Sequence, residues 1–145
     1  MQNFVERIKL VIRIARMWSQ ALDLAANEDF STALRVVREM ESLGASRSEL
    51  TLLKGVLLLK VGDPEEALEA LIAAYERISR DPAIAPPNNK YLMCFASVWG
   101  RRALQSADRE VQTPFIVDFR DVPLKLVARP YKRKFPLREH PDWAD

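Results

Sequence analysis

Apolar residues along this chain recur at helical spacing in five separate runs, each closed by a short polar or glycine-containing break. From about Asn3 to Ala26, Phe4, Ile8, Val11, Ile12, Ala15, Trp18, Leu22 and Ala25 follow one helical stripe. Asn27-Glu28-Asp29 then turns the chain, and Ala33, Leu34, Val37 and Met40 predict a second helix from Phe30 to Leu43, closed by Gly44. A third carries Leu50, Leu53, Val56, Leu57, Leu58 and Val61, with Ser46 or Ser48 placed to cap it. Gly62 ends that run, Asp63 caps the next, and Pro64 takes a first-turn position where its missing N–H costs nothing. The fourth helix, through Ala67, Leu68, Leu71, Ile72, Tyr75 and Ile78, ends at the Asp81-Pro82 step. Asn88 or Asn89 is placed to cap a fifth helix running to about Ala107, buried through Tyr91, Leu92, Phe95, Val98, Trp99 and Ala103.

The period changes after Glu110. Val111, Thr113, Phe115, Val117 and Phe119 alternate with more polar neighbours, which predicts strand-like spacing, and Leu124 to Val127 follows as a possible second strand. Prolines at 114, 123, 130 and 136 argue against a helix there. The chain therefore divides into a helical domain over 1–109 and an extended, proline-rich tail over 110–145.

The hairpin around Gly62 has a copy 34 residues earlier: Leu24 stands for Leu58, Asp29 for Asp63, Ala33 for Ala67, Leu34 for Leu68 and Ala21 for Gly55. Period and residue types resemble the tetratricopeptide repeat, with two units over about residues 14 to 81. The resemblance implies an all-α fold of about five helices in antiparallel hairpins, followed by an extended or β-hairpin-like tail. Positions 89 and 101, where a third repeat would want small residues, hold Asn89 and Arg101. The fifth helix is thus expected to cover the open edge of the stack, with Arg101, Arg102 and Arg109 facing water.

The resemblance also implies a concave groove. Aligning Ala21 and Gly55 with the family's small position puts Trp18, Leu22 and Ala25 in it from the first unit, and Leu52, Val56 and Leu59 from the second. Family members that grip an acidic C-terminus use lysines and asparagines there, whereas this groove offers only Lys60. An apolar groove suits an amphipathic helix or extended apolar segment of a partner, bound by area. The implied function is an adaptor or chaperone, similar in size and surface to type III secretion needle chaperones. The same surface can instead be filled by the tail through Phe115, Val117 and Phe119, or hidden in a homo-oligomer through Phe4, Ile8 and Ile12.

Charge adds one alternative. The net charge of +2 is small, yet residues 1–110 balance 15 basic against 15 acidic groups while 111–145 hold 7 against 5. Arg129, Lys132, Arg133, Lys134 and Arg138, interleaved with aromatics, could hold phosphate backbones, which makes nucleic acid the second candidate partner. Catalysis finds no support: there is no phosphate loop, nucleophile motif or metal-ligand spacing, and no cofactor is expected. With Cys94 the only cysteine and His140 the only histidine, an internal disulfide and thiolate- or histidine-rich metal sites are excluded. No apolar stretch is long enough to span a bilayer, and a reducing, cytoplasmic setting is expected.

Overall fold

The computed structural model describes residues 3–136, the side chain of Phe119 excepted. The fold is all-α. Five helices follow one another as α1 (Phe4–Ala26), α2 (Phe30–Ser42), α3 (Ser48–Lys60), α4 (Pro64–Arg80) and α5 (Asn88–Ala107), and a short α6 (Arg129–Lys134) comes last. Sequence neighbours pack as neighbours, α1 on α2, α3 on α4 and α4 on α5.

Local chemistry sets most of the helix ends. Asp29 accepts the Thr32 N–H at the start of α2, and Asp63 accepts that of Glu66 at the start of α4. Gly44 and Gly62, at φ +95° and +91°, reverse the chain after α2 and α3 in a conformation other residues resist. Two expected caps are not caps. The Ser48 hydroxyl instead donates to Asp81 Oδ2 at 2.9 Å, and the Asn88 side-chain Oδ1 accepts the Ala128 N–H at 2.9 Å. Tertiary partners took both side chains from the helix ends.

Leu34, Val37, Met40, Leu57, Leu58, Ala67, Leu68, Leu71 and Ile78 form the centre of the core. A methyl added at Gly55 would stand 2.6 Å from Leu71 Cγ, so α3 and α4 touch there because no side chain intervenes. Arg77 ties the pair from outside, donating to Thr51 Oγ1 at 2.7 Å and to the Ser46 carbonyl.

Three features of the packing refine or correct what the sequence implies. First, the opening turns of α1 bury little: Phe4, Val5, Ile8, Val11 and Ile12 are exposed, and burial begins in earnest at Met17. A 23-residue helix is about 34 Å long and the 13-residue α2 about 20 Å, so α1 overhangs its partner. Second, α5 does not end the stack. It is buried nearly all round, Ser97 and Gly100 included, because the tail packs on it. Gly100 is the small residue that close approach needs, and a methyl there would collide with the Phe115 ring. Arg101 is exposed but donates to the Phe115 carbonyl at 3.4 Å, Arg102 is half-buried over the Trp99 ring at 5.0 Å, and Arg109 faces water as expected.

Third, the described part of the tail has no strand. It makes 3-10 turns at Phe119–Asp121 and Leu124–Leu126 and then α6. With no second strand to pair, its backbone bonds close local turns, as from the Asp121 N–H to the Asp118 carbonyl, or reach side chains of the helical body, as when the Ile116 N–H donates to the Tyr75 hydroxyl. Pro130 does not prevent α6, since it sits in the first turn where no N–H is required.

Candidate binding groove

Residues three or four apart on a helix share a face, so Phe4, Ile8, Val11, Ala15, Trp18, Leu22 and Ala25 lie along one strip of α1. On α3 the corresponding strip is Glu49, Leu52, Val56 and Leu59. Trp18 and Leu52 are buried, Leu22, Ala25, Val56 and Leu59 are half-buried, and Lys60 is exposed. Lys60 closes the far end of the strip, its Nζ 4.9 Å from the Trp99 ring centre and 5.4 Å from that of Phe30.

The tail covers the other end. From α5 it returns past Tyr75, where Phe115 packs edge-on with ring centres 5.5 Å apart, and buries Val122 and Val127. The Ala128–Asn88 bond then delivers α6 to the start of α5. Phe135 is 1% exposed, edge-on to Phe95 at 5.1 Å, and its carbonyl accepts the Tyr91 hydroxyl at 2.5 Å. Lys134, one residue earlier, points to α1 and α3, with Nζ 5.9 Å from the Trp18 ring and 4.0 Å from Glu49 Oε2. The segment that enters is therefore Lys134-Phe135. Phe115 packs between α4 and α5 instead, Val117 is half-buried, and the Phe119 side chain lies outside the described residues.

Glu49 is the unexpected residue. Its side chain is 7% exposed, the Arg47 guanidinium stands 3.6 Å from Oε1, and Oε2 accepts no hydrogen bond from the described residues. Leaving a buried acceptor unmet costs about 1–3 kcal/mol, and more for a charged one. Trp18 Nε1 beside it is buried and likewise without an acceptor, while Arg47 lies 5.6 Å over the ring. Tyr131 completes the cluster; burial first, and then the Glu49 charge, raise its pKa above the ordinary 10.0. Glu49 falls three positions before Leu52 on the same stripe, a spacing that could have placed it in the groove.

The basic run is spent differently from the expectation. Lys134 is turned to Glu49, and Lys132 donates to the Leu124 carbonyl at 3.1 Å. Arg129 and Arg133 are exposed, and Arg138 lies outside the described residues. No group of three or more acidic, histidine or cysteine side chains placed to hold a metal occurs among the described residues. No helix among them is long and apolar enough to cross a membrane. Comparison with known proteins returned no match to a family model, a curated protein or a solved structure.

Proposed function

We propose that this chain is a non-catalytic, protein-binding adaptor or chaperone of tetratricopeptide-repeat type, which holds an apolar helix or segment of a partner along α1 and α3. One observation carries the reading: the apolar strip of α1 runs unbroken from the exposed Phe4 to the half-buried Leu22, and this chain's own Lys134 reaches its Trp18 ring. Surface that accepts one segment of polypeptide is suited to another. Phe4, Val5, Ile8, Val11 and Ile12 are all exposed on the overhanging turns of α1, a clustering of large apolar side chains of the kind that marks interaction sites. Each leucine-sized anchor buried there contributes about 1.5–3 kcal/mol, so a few suffice. The nucleic-acid alternative loses ground, since Lys134 is paired with Glu49 of the body and Lys132 is bonded to the Leu124 carbonyl within the tail.

The test is selection of amphipathic peptides from a display library on the full chain. Val56→Asp and Leu59→Asp, both at half-buried positions, should weaken capture at least tenfold with the helical circular dichroism preserved. Ile8→Asp should do the same for ligands that reach the overhang. Peptides held equally by all three variants would refute the groove. Self-association abolished by Ile8→Asp would assign the strip to a second copy.

A further inference from the structure

We propose that the covered end of the groove is a recognition site for a cation followed directly by an aromatic residue, in which the buried Glu49 carboxylate reads the charge. The chain's own Lys134-Phe135 holds that site until an Arg-aromatic step of a partner protein displaces it. The inference rests on the groove reading above and names the chemistry of its ligand.

Three features of the covered end define this chemistry. The aromatic subsite is built by Phe95 and Tyr91, which hold Phe135 at 1% exposure and anchor its carbonyl. The cation subsite lies one residue away, between the Trp18 ring and Glu49. Both walls of that second subsite carry an unmet polar atom, Glu49 Oε2 and Trp18 Nε1, in side chains more than nine-tenths buried. A carboxylate kept on an otherwise apolar strip and left without a donor is poorly explained by packing alone, since a leucine would fill the space without that penalty.

Lys134 serves this subsite incompletely. At 4.0 Å its ammonium is beyond hydrogen-bond reach of Oε2, so the contact is an ion pair only. A guanidinium presents a planar fork of donors that can engage a carboxylate in two bonds and stack on an indole face. An arginine in that position would therefore meet Oε2 where Lys134 does not. The ligand's backbone could also offer Trp18 Nε1 a carbonyl. A tail that fits the aromatic subsite well and the cation subsite poorly makes a reversible cover rather than a permanent one.

The experiment uses a fluorescein-labelled peptide reproducing residues 128–136 with K134R, titrated by anisotropy against the full-length chain and full-length Phe135→Ser. The serine variant, whose own tail has lost its anchor, is expected to bind at least tenfold more tightly than the parent. Adding Glu49→Gln to it should weaken binding at least tenfold, and a peptide with K134A should bind no better than background. Should circular dichroism show that Phe135→Ser has not folded, Lys134→Ala serves as the released-tail chain with the same expectations. Binding unaffected by Glu49→Gln, or equal for the K134A peptide, overturns the proposal. So does a wild-type dimer in sedimentation that Phe135→Ser abolishes, because the site would then belong to the tail of a second copy. If library-selected apolar peptides bind while the arginine peptide does not, this inference falls and the groove reading stands. If neither binds, both fall.

Discussion

Cys94 shows what burial does to a single group. Facing the core from the middle of α5, its thiol is 1% exposed, and burial chiefly, with Asp118 adding to it, pushes its pKa up to about 12. The folded chain thus holds this proton more tightly than the unfolded chain, where the value is 9.0. Its contribution to stability is whole below pH 9.0 and is lost as pH rises from there toward 12. Denaturant titrations at stepped pH should show a decline steeper in the parent than in Cys94→Ala, by at most about 1.4 kcal/mol per pH unit. Gly55 is a second case at this scale. Gly55→Val must displace Leu71 from both sides of the contact, and overpacking of this kind costs about 1–3 kcal/mol. Glu69→Leu, at an exposed position of α4, should leave the melting temperature nearly unchanged.

Among the elements, the tail is the one whose shape its own residues do not settle. Its alternation of Val111, Thr113, Phe115 and Val117 reads as a strand, but a strand requires a neighbour, and here the neighbours are helices. Each anchored point instead meets a feature of the helical body: Phe115 lies over Gly100, the Ile116 N–H meets Tyr75, Ala128 meets Asn88, and Phe135 meets Phe95. Phe135→Ala is expected to cost about 3–5 kcal/mol where the ring is removed. Hydrogen exchange should show the loss locally, with the Ala128 and Phe135 amides opening while the α3 and α4 amides keep their protection. Uniform loss across α3 and α4 would instead make α6 part of the cooperative core.

For the whole molecule the deciding quantity is where charge ends up. The surface pairs between helices, Arg13–Glu39 (α1 to α2), Lys54–Glu41 (α3 to α2) and Arg38–Glu66 (α2 to α4) at 3.1–3.5 Å, are exposed or half-exposed and contribute little each. In the basic run, Arg129 and Arg133 are exposed, Lys132 is bonded to the Leu124 carbonyl within the tail, and Lys134 is paired with the buried Glu49. Residual affinity for a DNA duplex through the remaining Arg129, Arg133 and Arg138 should therefore fall with salt on a log–log slope no steeper than about −3, where five free cations would allow about −4 to −5. Titration of a labelled duplex at two salt concentrations distinguishes these. A slope near −5 would show the tail detached from the groove in solution.

The helical periods, the aspartate caps of α2 and α4 and the glycines after α2 and α3 were legible in the residues because each acts within a few positions of itself. The buried face of α5 was legible for the same reason, whereas the strip holding Trp18, Leu22, Leu52, Val56 and Leu59 was drawn from the resemblance to a repeat family, through the alignment of Ala21 and Gly55. What that face meets was not. The choice of Lys134-Phe135 as the segment that covers it and the pairing of Lys134 with a buried Glu49 carboxylate depend on contacts dozens of residues apart. Periodicity records which side of a helix is apolar, but only the packed chain decides which distant segment ends up against it.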